Sequence, residues 1–269
     1  MIGQKYLKRY VKTLIDEGNF PRFSIFVGPK GSGKKTFVPE IAGQLLANYV
    51  KAFDTKVDTI REIIIEAYKV VSPTVYFIPD ADNMSNAAKN ALLKVTEEPP
   101  NNAFFIMTLE DAVNTLDTIR SRAQIFHMDK YYPRDLKDYA NTIGIKDEEE
   151  LEIIADVCET PGDVNILHEQ GVKEFYDFTN LVFDNIADVS LANALKIPNK
   201  LSLKDGAEGY DLRLFLRMFM SLCISRQANL EWVMTTSKCS TILRTKAVNK
   251  QMLLDTWIFD IRSEKYVRS

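Results

Sequence analysis

Residues 28–36 read GPKGSGKKT, which fits the pattern G-x-x-x-x-G-K-[S/T] at every position but the last. Gly28, Pro29, Lys30, Gly31, Ser32, Gly33 and Lys34 supply a phosphate-type loop and its lysine. Lys35 stands where a hydroxyl residue belongs, and Thr36 comes one residue late. A short apolar run, Phe23 to Val27, precedes the loop, and a helical pattern from about Lys34 through Val50 follows it. Strand, glycine loop and helix in that order is the setting such a loop requires. Glycines let backbone N–H groups close around phosphate oxygens, and Lys34 adds positive charge at the outer phosphates. The combination constrains the chain to a nucleotide-binding α/β ancestry.

The metal half of the motif is damaged. In P-loop enzymes the hydroxyl after the lysine and a carboxylate at a strand end hold Mg²⁺ between them. Lys35 cannot ligate a cation, and Thr36 is turned by about 100° around the helix. The strand that should end in an acid runs VYFIPDAD, Val75 to Asp82, with Pro79 near the expected position. A shifted register would let Asp80 serve. The alternative, which we favour, is that Asp80 and Asp82 cap the loop and helix that follow.

Further along, Tyr6, Leu7, Tyr10, Val11, Leu14 and Ile15 recur at helical spacing, and Ile60 to Val70 predicts another helix. Thr74 to Ile78, Ala103 to Thr108 and Gln124 to Met128 predict buried strands, with a helix over Ala87 to Thr96 stopped by Pro99 and Pro100. Strands alternating with helices argue for a parallel sheet covered on both faces. After Tyr131 the pattern becomes helical. Asp147 to Cys158 has an acidic first turn, and Pro161 opens a helix capped by Thr160. The remainder predicts helices broken at Pro198 and at Asp205 to Gly209.

Composition excludes little. A net charge of −3 does not announce a nucleic-acid binder, though a local basic patch is compatible with it. No apolar run approaches a membrane span and no signal-peptide core is present, so a cytoplasmic protein without membrane contact is expected. Cys158, Cys223 and Cys239 are far apart and predict buried reduced thiols without zinc. His127 is expected to be packed, His168 has no metal-binding neighbour at helical spacing, and Trp232 and Trp257 predict core or subunit contacts. Lys89 and Lys94 are solvated lysines by default, with contact to a DNA backbone as the alternative.

VYFIPDADNMSNAAKNALLKVTEEPPNNAFFIMT followed by TIRSRAQIF closely resembles the clamp-loader AAA+ proteins. NALLKxxEEPP, here Asn90 to Pro100, is a signature of that family, and Ser121-Arg122-Ala123 is similar to its Ser-Arg-Cys motif. Ile2-Gly3-Gln4 looks like the family's N-terminal box beside the adenine, and Thr59-Ile60-Arg61 also matches. Within the family the chain is most similar to the delta-prime type of bacterial DNA polymerase III subunit, which is known for an inert nucleotide site.

The resemblance implies an AAA+ P-loop core over residues 1–130, a small helical lid over 131–171 and an all-α collar over 172–269. It implies a five-subunit ring that places a sliding clamp on primer-template DNA. The partners would be an ATP-hydrolysing motor subunit, the delta subunit, the clamp and DNA. Arg122 would be an arginine finger acting in a neighbour's ATP site. Thr108 takes the sensor position at a strand end, with a strand-cap role as the alternative. Asn165 replaces the lid arginine expected in Gly162-Asp163-Val164-Asn165, and Val50 to Asp58 lacks the four-cysteine zinc module. These departures imply ATP or ADP held without turnover, with Mg²⁺ weak or absent. An active gamma-type clamp-loader ATPase is the rival expectation. A small-molecule kinase has no use for the EEPP and Arg-Ser-Arg elements.

Overall fold

Five short strands build the first half of the chain: β1 (Phe23–Val27), β2 (Asn48–Lys51), β3 (Thr74–Ile78), β4 (Ala103–Leu109) and β5 (Gln124–His127). They form one sheet in the order β2-β3-β4-β1-β5, with every pairing parallel. This computed structural model describes residues 2–203, 208–243 and 248–266. β1, β3 and β4 are buried along their whole length, as a parallel sheet covered on both faces requires.

Side-chain alternation along the strands feeds two cores. Ile25, Val27, Tyr76, Ile78, Phe105 and Met107 pack on one face against Ile60 and Ile63 of α3 (Val57–Ala67). The same core takes Ala88 of α4 (Asn86–Ala91) and Val95 of α5 (Leu93–Glu97). Phe26, Phe77, Phe104, Ile106 and Phe126 pack on the other face. There they meet Leu7 and Val11 of α1 (Lys5–Asp16) and Phe37, Val38 and Ile41 of α2 (Lys34–Gln44). Tyr6 and Tyr10, which share the apolar spacing of α1, are exposed. A four-residue helix, α6 (Asp117–Arg120), precedes β5.

Three local expectations need correction. The helix after the glycine loop ends at Gln44 rather than Val50, and the residues beyond it form β2. The helix over Ala87 to Thr96 is two short helices, divided at Leu92. Its start is fixed by Ser85, whose hydroxyl accepts the Ala88 N–H at 3.2 Å. The strand beginning at Gln124, expected to be buried, is an edge strand that leaves Gln124 and His127 exposed.

The chain divides into two compact units, Met1–Tyr131 with Thr160–Gly162, and Tyr132–Glu159 with Asp163–Ser269. The second unit is built mainly from α7 (Pro133–Thr142), α8 (Glu148–Val157), α9 (Pro161–Glu169), α10 (Val172–Asn185), α11 (Leu191–Ala194), α12 (Leu212–Ser225), α13 (Leu230–Leu243) and α14 (Lys250–Tyr266). Pro161 and Gly162 at the start of α9 group with the first unit. Asp147 caps α8 by accepting the Glu150 N–H at 3.1 Å. α8 and α10 pack on α12, and α13 packs between α12 and α14. Trp257 is fully buried against Phe215 and Phe219, and its indole N–H donates to Thr236 at 3.0 Å. Pro198 lies in a short 3-10 turn, as a helix break there predicts. Asp205 to Ala207, part of the second expected break, lie outside the described residues. Cys158, Cys223 and Cys239 are buried free thiols. No helix among the described residues is long and apolar enough to cross a membrane.

Candidate nucleotide-binding site

The glycine loop joins β1 to α2, and its glycines serve different ends. Gly31 and Gly33 have φ of 84° and 89°, a left-handed conformation that side chains rarely adopt. Gly28 is required by packing instead, because a β-carbon there would lie 2.7 Å from Met128. Lys34 is buried, and its ammonium donates to the carbonyls of Gly28 at 2.5 Å and Pro29 at 2.8 Å. Burial pulls its pKa below the ordinary lysine value, against the opposing pull of Glu110, Asp82 and Asp80, while Lys35 lowers it further. The Ser32 hydroxyl is buried with no hydrogen-bond partner. A buried ammonium, an unpartnered hydroxyl and the start of α2 converge on one loop, and that set fits a phosphate group.

The position after Lys34 is occupied by an ion pair. The Lys35 ammonium lies 2.5 Å from Oδ2 of Asp80, and both side chains are more than half exposed. Asp80 does not cap the 3-10 turn that follows it, so the favoured expectation for this residue is corrected. Its φ is 50°, and its backbone N–H donates to the hydroxyl of Thr108 at 3.1 Å. Thr108 is fully buried near the end of β4 and thereby fixes the turn that aims Asp80 at α2. Asp82 accepts from the Glu110 N–H at 2.9 Å and the Asn114 amide at 2.8 Å, tying the loops after β3 and β4 together. These residues do not fit Mg²⁺, which demands oxygen ligands in an octahedron at about 2.0–2.1 Å. Thr36 is exposed, one position past the loop's lysine pair, and Pro79 has no carboxylate.

The N-terminal residues reach the same loop. Gln4 is buried and pairs both ends of its amide with the Asp129 backbone, at 2.7 and 2.6 Å. The Tyr131 hydroxyl lies 2.9 Å from the Ser32 carbonyl and 3.2 Å from that of Ile2, so its single proton is shared between them. Its ring lies where a β-carbon on Gly3 would sit, at 2.8 Å. Tyr131 was not singled out by the sequence, which marks it only as the end of the sheet pattern. Thr160 and Gly162 also contact the loop: the Thr160 hydroxyl donates to Lys30 at 3.3 Å and the Gly162 N–H to Gly31 at 3.1 Å.

The other singled-out residues lie elsewhere. Arg122 follows α6, with one nitrogen 3.0 Å from Glu97 and the other donating to Thr118 at 2.9 Å. Glu97 belongs to the EEPP element, so the two motifs meet in one ion pair. Lys89 donates to the Asn114 carbonyl, and Lys94 lies over the Tyr68 ring. His127 is exposed rather than packed, because β5 is an edge strand with an outward-facing end. Thr59 donates to Asp54 at 2.6 Å while Ile60 is buried. In the second unit Asn165 accepts from Tyr139 at 2.8 Å.

Comparison with known proteins gives consistent matches. A family model described as DNA polymerase III, delta subunit, matches residues 51–131. DNA polymerase III subunit gamma of Buchnera aphidicola is 29% identical over 58% of this chain and 53% of that protein. The Replication factor C small subunit of Methanosphaera stadtmanae is 29% identical over 79% of this chain and 72% of that protein. The chain thus spans about half the length of the Buchnera relative. Among solved structures, a Thermotoga maritima RuvB mutant has a TM-score of 0.53 at 20% identity, covering 87% of this chain and 85% of that one. A gamma-subunit-related protein of the same organism has a TM-score of 0.51 at 15% identity, covering 98% and 100%. At such identities the solved structures speak to the fold alone.

Proposed function

We propose, on the premise that this chain is a member of the clamp-loader AAA+ family, that it serves as a non-hydrolysing, delta-prime-like ring subunit helping to load a sliding clamp on primer-template DNA. The observation that carries this reading is the Lys35–Asp80 ion pair. It sets an ammonium where hydrolysis needs a metal ligand, so the chain's own site keeps its phosphate loop and lacks the means of turnover. Gly28 to Lys34 would hold the phosphates of ATP or ADP, and Ile2 and Gly3 would flank the base. ATP supplies hydrolysis energy only at a neighbouring motor subunit in this reading. There Arg122 would place its guanidinium against charge developing on the transferred phosphoryl group. Residues 131–171 would act as lid and 172–269 as collar against the motor and delta subunits, in the cytoplasm.

A gamma-type ATPase is the second reading, favoured by the likeness to the Buchnera gamma subunit. ATPase assays of the chain alone, and of a ring rebuilt with its motor and delta partners, separate the two. The stator reading expects no turnover by the chain alone and a large loss of ring turnover in Arg122→Ala. Steady Mg²⁺-dependent turnover by the isolated chain, abolished in Lys34→Ala, would replace it with the motor reading.

A further inference from the structure

Lys35 and Asp80 reproduce, without a metal, the charge arrangement that a divalent cation completes in P-loop enzymes. Residue 35 occupies the helical position of the missing hydroxyl, so its side chain leaves α2 toward the same region of the loop. Asp80 approaches from β3, as a metal-holding acid does, and is fixed from behind by Thr108. Between them lies one ammonium, 2.5 Å from the carboxylate. An ammonium has three donors, and the contact with Asp80 employs one. The buried Lys34 ammonium and the unpartnered Ser32 hydroxyl lie on the same loop, so two cations and a free donor share one short segment.

We propose that the Lys35 ammonium is a built-in replacement for the divalent cation, so that this site takes a nucleoside di- or triphosphate in metal-free form. The inference rests on reading residues 28–34 as a nucleotide site, and it deepens that reading by assigning the ionic form of the ligand. A polyphosphate bound here is neutralised by Lys34 from within the loop and by Lys35 from its rim. Asp80 lies against Lys35 and biases its ammonium toward the rim of the loop. Added Mg²⁺ lowers the negative charge of the free nucleotide and meets the fixed ammonium, so it weakens binding or leaves it unchanged.

The test is calorimetric titration of ADP and of ATP into the full-length chain, once with EDTA and once with excess Mg²⁺. The expected result is saturable binding in EDTA that Mg²⁺ does not strengthen. Lys35→Met should weaken the EDTA affinity by about tenfold or more, the scale of one charge-assisted hydrogen bond. Lys35→Thr restores the motif's hydroxyl and should bind better with Mg²⁺ than without. Lys35 is exposed, so neither variant threatens the fold, and Lys34→Met should abolish binding in both conditions. Wild-type binding that requires Mg²⁺ overturns the inference while leaving the nucleotide site in place. EDTA-resistant binding that survives unchanged in Lys35→Met overturns the role of Lys35. Absence of binding both in EDTA and in excess Mg²⁺ overturns the nucleotide site itself, while the trans role of Arg122 stands or falls separately on ring turnover.

Discussion

Gly162 donates its backbone N–H to the carbonyl of Gly31 at 3.1 Å, and neither residue has room for a β-carbon. A methyl on Gly162 would sit 2.4 Å from Gly31 Cα, and one on Gly31 would sit 2.6 Å from the Thr160 hydroxyl. The obstructing atom for Gly162 is backbone, which cannot rotate away. Gly162→Ala is expected to cost about 1–3 kcal/mol and to weaken ADP binding. Gly43→Ala is the matched control: Gly43 lies in α2 with open space around it, and helix propensity predicts a gain of up to about 1 kcal/mol. Thermal melts of the two variants should move in opposite directions, and only Gly162→Ala should weaken ADP binding in titration.

Arg217 of α12 lies 2.8 Å from Asp163 and 2.6 Å from Glu159. Asp163 is almost completely buried, so removing the guanidinium leaves a desolvated carboxylate without its cation. Arg217→Met is expected to destabilise the chain by about 3–5 kcal/mol. Adding Asp163→Asn should recover a large part of that loss, because the uncompensated charge disappears. Urea unfolding of the single and double variants measures both.

Lys34 is held below the ordinary lysine pKa by burial. At pH values below its folded pKa both folded and unfolded chains carry the proton, and the cost of burying the charge is fully present. As pH rises from there toward the ordinary value of 10.5, the unfolded chain holds more protons, so stability rises with pH. Lys34→Met should therefore raise the unfolding free energy at neutral pH, on the order of 1 kcal/mol, with the gap to wild type narrowing in alkali. Loss of nucleotide binding in the same variant would mark the lysine as kept for function at the expense of stability.

Asp147 titrates in the opposite sense. The Glu150 N–H, and then Lys173, hold its pKa below the ordinary aspartate value of 3.8. Its contribution is fully present above 3.8 and is lost as pH falls through the lower folded value. Asp147→Ala should lower the Tm by a few degrees at neutral pH and make no difference in strong acid. A Tm difference that persists undiminished in strong acid would contradict the cap.

The sheet, the loop and its missing hydroxyl were legible because each rests on local pattern: apolar runs, glycine spacing, one lysine out of place. β2 was not. α2 ends in a Schellman turn, with Ala47 N–H bonded to Ala42 and Leu46 N–H to Gly43, yet Leu46 rather than glycine takes the left-handed position at φ 50°. With no glycine to mark the stop, and an edge strand too exposed to alternate, helical periodicity ran on through Val50. The Lys35–Asp80 pair was hidden for another reason. The two residues are 45 positions apart, and what joins them is strand order, a left-handed turn at Asp80 and the Thr108 hydroxyl behind it.

Arg122 offers a test in which stability and function part company. Its side chain is 39% exposed and pairs with Glu97, itself 53% exposed. Pairs of that kind contribute little to folding, typically about 0–1 kcal/mol, so Arg122→Ala and Glu97→Ala should both melt close to wild type. Loss of a transition-state guanidinium instead costs roughly 10³–10⁵ in turnover. Arg122→Ala should thus cripple the reconstituted ring without unfolding the subunit. Arg122→Lys should rescue little, because a lone ammonium lacks the planar fork that spans two phosphate oxygens. Glu97→Ala should fall between, since it frees the guanidinium from its seat without removing it. Full turnover by an intact ring carrying Arg122→Ala would reduce the Arg122–Glu97 pair to a surface contact and remove the trans role.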